Sequence, residues 1–502
     1  MVDQTQAKLP DASEPVIIVG GGLAGLSATL AAVNEGASVV LIEGEKSLGG
    51  NSAKASSGIA ACNTEAQRVR NIVDSTDLFY MDTMTAGDRE NDAALVDILV
   101  HESASAVQFL INQGVDLSDV NLCGGHSVKR VHWIPSRKSD KPVAVGWEII
   151  KALSAKINKI AEDNPEKVRI LLKTEVIGMV TWNDFITGVR IKREGSKQID
   201  EINGKAVILA TGGFSNDRSN EGSLLSEFAP EKLSFPTTNG PWASGRGVKM
   251  ARAMGAALVG MNRVQVHPTS FIDPREPNAT TKFLAAEALR GKGAILVNEK
   301  GERFANELGR RDYVTDRILR FCSPNALSGG AHVAYMLMSD QMVDDFGRPS
   351  FNFYANVKGL FKKFENVVDL ASNMEIDERK LRQTLIDYNS YVGKDLKDSF
   401  EKTVFPTVID PDLPIYMALI TPAIHYTMGG LKIDKQAFVF NEFSEKPFKG
   451  LLAAGEVTGG VHGSNRLAGN SLLECVVFGR IAGRSASQIR YTPDMAFPRA
   501  EL

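Results

Sequence analysis

The sequence predicts an α/β fold in which a Rossmann-like dinucleotide-binding domain is combined with a second domain or a large insertion. A complete βαβ unit opens the chain, and its glycine spacing is that of a dinucleotide-binding turn. Two later strands, at 206–210 and 450–454, end in small residues, which is typical of a parallel sheet crossed by a long cofactor. At 502 residues, the chain is also too long for one ordinary core.

The composition is that of an ordinary globular enzyme. Apolar residues make up 43% of the chain and charged residues 23%, and the formal net charge is −3. Nucleic-acid-binding proteins are usually basic, so we expect no nucleic acid as a partner. The 4 cysteines are scattered and form no CxxC pair, which indicates a reducing compartment and no zinc, iron–sulfur or haem site.

The sequence contains no recognisable targeting or membrane segment. No apolar run reaches the roughly 20 residues that a membrane helix needs. Residues 1–14 are polar and lack the apolar centre of a signal peptide. The C-terminal Ala500-Glu501-Leu502 is not the usual peroxisomal tripeptide. We therefore expect a soluble protein without a membrane span, and a cytoplasmic or an organellar location is left open.

The βαβ unit is in register throughout. It comprises an apolar strand at 15–19, a glycine turn at 20–25, a helix to about residue 34 and a second strand at 37–42. Gly20 makes the turn, Gly22 lets the backbone approach a pyrophosphate, and Gly25 allows the helix to pack closely on the strand. The positive end of the helix faces the phosphates, and Glu43 is placed to accept ribose hydroxyls.

The loop after this unit favours FAD over NAD. Residues 47–52 resemble the second flavin-contacting loop of two-dinucleotide-type flavoproteins. A last helix at about 471–485 can direct its positive end toward a reduced flavin ring. No second Rossmann fingerprint indicates a nicotinamide site, so the electrons must come from an external donor.

Two of the seven histidines lie in short polar motifs that fit the halves of one dicarboxylate site. His267 lies within residues 265–269, and His425 begins residues 425–430. Arginine-rich residues 302–312 stand between them. A segment bounded by histidines and carrying arginines suggests a lid that closes over an anion. Alone, His267 would more often be a hydrogen-bonded structural residue, so the inference depends on the motifs together.

Other elements follow from periodicity. An amphipathic helix is predicted over 147–161, and strands from residue 168 to 210 indicate a β meander. In the middle of the chain, a strand is predicted over 294–297 and a helix over 378–392. The Lys- and Phe-rich segment 358–369 favours a surface helix over a binding patch.

Together these motifs resemble the soluble fumarate reductases, members of the succinate dehydrogenase/fumarate reductase flavoprotein family. The resemblance covers about residues 15–487. It rests on residues 49–52, 56–59, 265–268, 286–291, 302–312, 425–430 and 455–479. The combined match is far more specific than the nucleotide-binding motif alone.

The resemblance implies a Rossmann-like FAD-binding domain with an inserted α+β capping domain. The FAD-binding domain would comprise residues 15–260 and 425–502, and the cap residues 261–424. Membrane-bound relatives attach FAD through a histidine that follows the glycine pair, and residues 51–56 contain none, so noncovalent FAD is implied. The implied cofactor-binding residues are Gly20, Gly22, Ala24, Gly25, Glu43, Gly50, Asn51, Ser52, Ser57, Gly58, Val176, Thr211, Gly212, Glu456, Ser471 and Leu472.

The resemblance also assigns the substrate site. His425 and Arg466 would hold one carboxylate of fumarate, with His267 and Gly469 completing the binding site. Arg311 would give a proton to the carbon opposite the hydride.

A guanidinium is an unusual acid, because its pKa in solution is above 12, so its proton must be replaced at once. The resemblance assigns that relay to Glu287 and Arg290, which are three residues apart on one helical face. A plain ion pair between these two side chains is the alternative. Arg310 is expected to be a surface residue, because Arg311 directly precedes Asp312 as the family pattern requires. We expect His462 to be a structural residue of its loop.

Two positions depart from the family pattern, and one further site is implied. Ala286 stands where relatives usually carry threonine, so a hydroxyl contact to substrate is missing or replaced. Arg246 stands where they commonly carry aspartate. A sodium ion held by backbone carbonyls is implied at Thr427, Met428, Gly429, Glu456 and Thr458.

Three functions are therefore compared. The first is reduction of fumarate to succinate by FADH2, with electrons from free reduced flavin, a separate reductase or a fused module. The second is reduction of another unsaturated carboxylate, of urocanate or acrylate type, or oxidation of succinate or aspartate. The third is a flavoprotein without catalysis, which would bind FAD but lack a competent dianion site.

Overall fold

The computed structural model describes residues 13–56, 58–135, 144–182 and 185–490. Within them, the mixed α/β class predicted from the sequence is confirmed, because a largely parallel sheet is combined with a second, antiparallel sheet. Ser57, one of the predicted cofactor-binding residues, lies outside the described residues, as do the first twelve residues and residues 491–502.

The first sheet contains the predicted βαβ unit, whose strands follow directly on the edge strand Val168–Leu171. It has nine strands, and the five neighbouring pairs that begin at the edge strand Val168–Leu171 are parallel. In spatial order the main path is Val168–Leu171, Val39–Ile42, Val16–Val19, Ala206–Leu209, Pro447–Ala453, Phe185–Arg193 and Thr174–Trp182, with Phe438–Phe440 and Ile199–Asn203 paired beside it. The central strands are short, rich in β-branched residues and buried on both faces, as a covered parallel sheet requires.

Helices cover this sheet, and two of them, Leu23–Asn34 and Asn470–Gln488, pack with their backbones in contact. A Cβ on Gly479 would lie 2.6 Å from the carbonyl oxygen of Ala24, and one on Gly483 would lie 2.4 Å from that of Ala28. Any larger residue would therefore push the helices apart. The helices of this part are Leu23–Asn34, Glu65–Val69, Thr76–Ala86, Ala93–His101, Ser103–Asn112, Val145–Asp163, Leu224–Phe228, Arg246–Arg252 and Asn470–Gln488, with short 3-10 turns at Ser52–Lys54 and Pro230–Lys232.

The second sheet lies in the middle of the sequence and is antiparallel. It comprises Val264–Phe271, Ile415–Thr427, Ala334–Ser339, Ile295–Val297 and Lys362–Phe364. Smaller sheets pair Ile59–Ala60 with Val131–Trp133 and Asp119–Asn121, Leu258–Val259 with Gly430–Leu431, and Pro324–Asn325 with Ala331–His332. The helices around the second sheet are Glu287–Gly291, Arg311–Phe321, Asp340–Phe346, Arg348–Asn352, Val367–Met374 and Glu378–Asn389, with a 3-10 turn at Ala326–Ser328 and a π-helical turn at Phe353–Val357.

Two hydrophobic cores accompany the two sheets. The first contains apolar residues from 16 to 264 and from 424 to 486, and the second contains residues from 271 to 420. The strands Val264–Phe271 and Ile415–Thr427 run from one core to the other. Their pairing is irregular between His267 and Ser270, and such irregularities re-aim side chains. The predicted boundaries at 260/261 and 424/425 stay a prediction.

The predicted surface helix over 358–369 is wrong. Lys362–Phe364 is a strand that pairs with Ile415–Met417, and a helix begins only at Val367. Phe361 and Phe364 are buried in the second core, whereas the lysines between them are exposed. The lysine content of this segment is that of a surface helix, but its buried phenylalanines hold it as a strand against the second core.

No single helix in the described part of the chain is long and apolar enough to cross a membrane. By length and composition alone, one pair bent by 44°, Ala93–His101 with Ser103–Asn112, meets the same criterion. Both helices contribute buried residues such as Leu99 and Leu110 to the first core.

Candidate active site

A cavity of about 390 Å³ lies against the strands and helix N-termini of the first sheet. Fourteen of the predicted cofactor-binding residues line it, and so do four of the predicted substrate-site residues. The former are Gly20, Gly22, Ala24, Glu43, Gly50, Asn51, Ser52, Gly58, Val176, Thr211, Gly212, Glu456, Ser471 and Leu472, and the latter Arg311, His425, Arg466 and Gly469. One cavity therefore joins the two predicted sites.

The glycine turn has the geometry that a dinucleotide site needs. Gly20 has a φ of +107°, and a Cβ on Gly25 would lie 1.9 Å from the carbonyl oxygen of Gly20. Gly25 does not line the cavity; it packs the helix against the turn. At Gly22, by contrast, the nearest protein atom to a Cβ would be 3.6 Å away. The Cα of Gly22 is therefore not crowded by protein atoms, which fits the close approach of a pyrophosphate.

Replacing Gly25 with alanine is expected to prevent FAD binding, because the new methyl group would displace the turn that faces the phosphates. Overpacking of this kind costs about 1–3 kcal/mol of stability or more. The FAD-to-protein ratio of the purified variant, read from its absorbance, and its melting temperature check this. Gly178→Ala is the matched control, because a Cβ there would meet no atom within 4 Å. A Gly25→Ala protein that keeps a full complement of FAD would contradict the assigned role.

The adenosine side of the cavity carries the predicted acid. Glu43 accepts a hydrogen bond from the backbone N–H of Gly21 at 2.7 Å, and its other oxygen accepts from the N–H of Glu45 at 2.9 Å. Its side chain is thus fixed at the end of the strand Val39–Ile42, where both of its oxygens remain acceptors. Gly21, Glu43 and Glu45 all line the cavity.

Sequence reasoning missed an aromatic wall of the cavity. The side-chain oxygen of Asn51 accepts from the N–H of Gly240 at 3.0 Å and from Nε1 of Trp242 at 3.1 Å. Trp242 lines the cavity, and Nζ of Lys54 lies 4.7 Å from its ring centroid. These residues follow no recognisable motif, because the contact joins segments about 190 residues apart. A glycine pair followed by asparagine was the only local signal.

The last helix begins at the cavity, one residue earlier than predicted. Asn470–Gln488 has Gly469 as its N-cap residue, with φ +81° and no side-chain cap. The first-turn residues Ser471 and Leu472 line the cavity. Uncapped N–H groups and the positive end of a helix favour negative charge, as a reduced flavin or a carboxylate would bring.

The proposed proton donor is held by two partners. Arg311 begins the helix Arg311–Phe321 and is only 5% exposed. Its Nε and Nη2 donate to one oxygen of Glu287 at 3.1 and 3.0 Å, and its Nη1 donates to Oε1 of Gln265 at 2.8 Å. The amide of Gln265 in turn donates to the carbonyl oxygen of Arg466 at 3.2 Å. Gln265 therefore links the two arginines, which the sequence did not indicate.

Glu287 and Arg290 share the short helix Glu287–Gly291, as predicted. Glu287 also accepts from the N–H of Gly124 at 2.8 Å. Burial opposes ionisation, but the charges of Arg311 and Arg290 lower the pKa of Glu287, so it is a carboxylate. The alternative of a plain Glu287–Arg290 pair is not what the structure records, since the ion-pair partner of Glu287 among the described residues is Arg311. Nη1 of Arg290 donates instead to the carbonyl oxygen of Glu307 at 2.5 Å.

The two predicted histidines lie side by side. Their ring centroids are 5.2 Å apart, and the rings are tilted by 60°. Burial and the Arg311 charge lower the pKa of both rings well below the usual 6.5, so both are neutral. His425 lines the cavity, whereas His267 is fully buried behind it. Among the described residues, Nε2 of His267 has no hydrogen-bond partner.

A threonine that sequence reasoning missed orients His425. The hydroxyl of Thr238 lies 2.6 Å from Nδ1 of His425, and the amide of Asn239 donates to the His425 carbonyl oxygen at 2.7 Å. When the hydroxyl donates to Nδ1, the neutral ring carries its proton on Nε2 and can donate it to a carboxylate.

Arg466 is buried without an acidic partner. Among the described residues it forms no ion pair, and its Nε has no hydrogen-bond partner. Its guanidinium lies 4.5 Å from the ring centroid of Tyr426. Burial and the nearby Arg311 charge lower the pKa of Arg466 to about 10, which still leaves it charged at neutral pH. A buried charge of this kind is stable only when an anion accompanies it.

His462 contacts the ring of Tyr426, with the two ring centroids 5.5 Å apart. It is buried, as a structural residue of its loop would be, and its Nε2 lies 2.5 Å from an oxygen of Glu474. The other oxygen of Glu474 accepts a short hydrogen bond from the Tyr426 hydroxyl. The Tyr426 ring that faces Arg466 is therefore fixed by a buried carboxylate that the sequence did not indicate.

The two departures from the family pattern have different surroundings. Arg246 lines the cavity and pairs with Glu175 at 2.7 Å, which gives its positive charge a partner close to the cofactor site. Ala286 is buried at the N-cap of the helix Glu287–Gly291, where it provides no side-chain cap. The prediction that a hydroxyl contact to substrate is missing here, or replaced by a backbone N–H, stays a prediction.

The segments predicted to hold sodium lie together. Leu431 and Thr458 form a parallel bridge, and the carboxylate of Glu456 accepts from the N–H of Thr427 at 2.9 Å. Burial raises the pKa of Glu456 to about 7. The described ranges contain no cluster of three or more His, Cys, Asp or Glu side chains that could hold a metal. The carbonyl site at Thr427, Met428, Gly429, Glu456 and Thr458 stays a prediction.

Comparisons with known proteins agree with this geometry. A family model described as an FAD binding domain matches residues 15–472. The chain is 37% identical to a fumarate reductase of Schizosaccharomyces pombe, over 94% of this chain and 89% of that protein. It is 38% identical to fumarate reductase 1 of Saccharomyces cerevisiae, over 95% of this chain and 99% of that protein.

A solved structure agrees as well. The structure of the open conformation of a flavocytochrome c3 fumarate reductase matches with a TM-score of 0.73 and 33% identity, over 95% of this chain and 78% of that one. From the cavity, the glycine turn and these four matches, the chain belongs to the succinate dehydrogenase/fumarate reductase flavoprotein family and contains its FAD-binding domain.

Proposed function

We propose that this chain reduces fumarate to succinate with FAD that it binds without a covalent bond. The observation that carries the proposal is the pair of buried guanidinium groups, Arg311 and Arg466, that line one cavity with His425. The lack of histidine in residues 51–56 supports noncovalent binding. In this proposal residues 261–424 form the capping domain, and residues 15–260 and 425–502 the FAD-binding domain.

Fumarate is a planar dianion, and Arg466 suits one of its carboxylates. A guanidinium offers a planar fork of donors that matches a carboxylate. Within the described ranges Arg466 forms no ion pair that would compete for it, and its Nε has no hydrogen-bond partner. His425, neutral and held by Thr238, donates to the same carboxylate through Nε2. His267 offers its partnerless Nε2 from the other crossing strand, and Gly469 adds the N-terminus of the last helix.

Reduction adds a hydride to one alkene carbon and a proton to the other. FAD held by the residues that line the shared cavity would supply the hydride. Arg311 gives its proton to the opposite carbon, and its positive charge stabilises the carbanion character that develops there. Because Gln265 and Glu287 hold three of its nitrogens, the guanidinium reaches the substrate in a fixed orientation.

Because Glu287 is ionised, it first takes up a proton and then passes it to the neutral guanidine of Arg311, with which it is in direct contact. Arg290 delivers the proton that Glu287 takes up; it stands on the same short helix, and its Nε and Nη2 have no hydrogen-bond partner among the described residues. A second cavity, of about 510 Å³, is lined by Gly124, Ala288 and Gly291 and brings water close to that helix. The proton lost from Arg311 is thus replaced from solvent and does not accumulate as a neutral guanidine.

Reduction of another unsaturated carboxylate is the second candidate, because a single arginine–histidine clamp would also hold urocanate or an acrylate. Two observations favour the dianion: Arg311 and Arg466 both line the cavity, and each contributes positive charge around His425. Electrons come from free reduced flavin, a separate reductase or a fused module, since the sequence contains a single dinucleotide motif.

Fumarate is expected to reoxidise the reduced flavin within seconds, whereas urocanate, acrylate and succinate are not. The experiment reduces the FAD-loaded protein anaerobically, adds each compound and follows the return of the yellow absorbance. Recovery with urocanate alone would select the second candidate. Recovery with none of them would favour a flavoprotein that does not catalyse this reaction.

A further inference from the structure

A turn outside the cavity contacts both arginine-bearing segments. It joins the helices Thr76–Ala86 and Ala93–His101 and contains Gly87, Asp88, Arg89 and Glu90. Asp88 and Arg89 are consecutive residues with positive φ angles of 54° and 59°. Such a backbone is unfavourable for residues other than glycine, although aspartate and asparagine tolerate it best, so surrounding contacts must hold the turn in place.

On one side, the turn is bonded to the loop that carries Arg466. The N–H of Ser464 donates to the carbonyl oxygen of Gly87 at 3.1 Å, and the side-chain amide of Asn465 donates to that of Ala86 at 3.2 Å. Ser464 also donates a short hydrogen bond from its hydroxyl to the carboxylate of Asp88. Two residues before Arg466, the loop is therefore tied to Asp88.

On the other side, the same carboxylate binds the residue that precedes the proton donor. Nη1 and Nη2 of Arg310 donate to the two oxygens of Asp88 at 2.7 and 2.9 Å. This is a fork-to-fork pair, the geometry in which an arginine–carboxylate contact also fixes orientation. Arg310 is the N-cap residue of the helix Arg311–Phe321, so its position determines where that helix begins.

We propose that Asp88 is a positioning residue, which sets Arg311 and Arg466 relative to each other by holding Arg310 with one contact and Ser464 with another. The proposal rests on the proposed function, because it concerns the two groups that protonate and bind fumarate. Asp88 touches neither substrate nor cofactor site, since it does not line the cavity. It acts on the chemistry through the backbone of its two partners.

A second contact from the same turn, between Glu90 and Arg263, also supports this positioning role. Oε1 of Glu90 accepts from Nη2 of Arg263 at 2.6 Å, and Arg263 directly precedes the strand Val264–Phe271. Gln265, two residues farther along, bonds to Arg311 and to the backbone of Arg466. The turn therefore contacts three chain segments that meet at the substrate site.

Asp88→Asn tests the proposal. It removes the charge, keeps the size of the side chain and tolerates the positive φ, so the turn itself is not newly strained. We expect kcat for fumarate to fall roughly 10- to 100-fold and KM to rise several-fold, because misplacing reacting groups by about 1 Å costs about 100-fold in rate. FAD content and the melting temperature serve as controls for folding.

Single-arm variants separate the two contacts. Arg310→Gln is expected to lower kcat with little change in KM, because it releases only the Arg311 side. Ser464→Ala is expected to raise KM and to weaken succinate binding, measured by thermal shift, with little change in kcat. If Asp88 only stabilised the fold, one variant would not affect kcat alone while the other affected KM alone.

The matched control is Asp316→Asn, which breaks an exposed pair with Arg320 on the same helix as Arg311. If Asp88→Asn and both single-arm variants behave like Asp316→Asn, the proposal is overturned. If Asp88→Asn folds poorly, Arg310→Gln and Ser464→Ala still decide it, and an effect of both on the same kinetic parameter would contradict it. A wild-type flavin that fumarate cannot reoxidise would overturn the proposed function, and the role of Asp88 with it.

Discussion

Replacing Arg311 with alanine is expected to abolish fumarate turnover while FAD stays bound. The variant loses the proton donor and the positive charge that faces the developing carbanion, and each such contribution is worth about 100-fold or more. We therefore expect kcat to fall by roughly 10³- to 10⁴-fold or beyond. Arg311 contacts Gln265 and Glu287 rather than the glycine turn, so the FAD-to-protein ratio should not change.

Anaerobic reoxidation of the reduced flavin by fumarate measures this loss directly. Arg320→Ala is the control, because Arg320 is an exposed residue of the same helix that pairs only with Asp316 among the described residues. Arg311→Lys keeps a charge beside Glu287 and guards against simple unfolding, since alanine leaves a buried carboxylate with one cation fewer. Near-normal turnover in the alanine variant would show that another group donates the proton.

Replacing Arg466 with alanine is expected to weaken binding of the dicarboxylate more than any other change to the cavity wall. Truncating one partner of a buried charge pair costs about 2–5 kcal/mol, which corresponds to roughly 30- to 4,000-fold in Kd. The lysine variant should recover little, because an ammonium group lacks the planar fork that matches a carboxylate.

The Kd of succinate, followed through the flavin absorbance or by thermal shift, reports this effect without any turnover. Arg480→Ala, on the same terminal stretch of the chain, is the control, since Arg480 lies in the helix Asn470–Gln488 and contacts Ser105 and Phe109. An unchanged Kd for succinate in the Arg466→Ala protein would contradict the carboxylate-binding role.

The local features of the fold could be predicted, because their signals are local. The turn from Gly20 to Gly25 has a spacing that only one backbone arrangement satisfies, and the structure contains a strand, a turn and a helix there. Burial of Val16–Val19 and Val39–Ile42 follows from continuous apolar runs. The motifs around His267, His425 and Arg466 are short, but their combination is specific. These three residues could therefore be predicted as parts of the substrate site from the sequence.

The supporting contacts could not be predicted in the same way. Thr238 meets His425 across 187 residues, and Gln265 meets Arg311 across 46. No periodicity or spacing relates such pairs, so only the folded chain identifies them. In the segment 358–369 a local signal was misleading. Its lysines suggested a surface helix, but Phe361 and Phe364 are buried and residues 362–364 form a strand.

The two strands that pass between the cores also determine how bending would affect the chemistry. His267 and His425 lie on these strands, so if the proposed capping domain rotates about them, the imidazoles would move only a short distance. Arg311 is carried by a helix whose Val314 and Ile318 pack in the second core, and it would sweep a longer arc. Separation of the two cores would therefore move the proposed proton donor, Arg311, away from the substrate before the carboxylate contacts of His425 and Arg466 are lost. A substrate could then be captured before it is exposed to protonation, and product could leave after the acid has moved away.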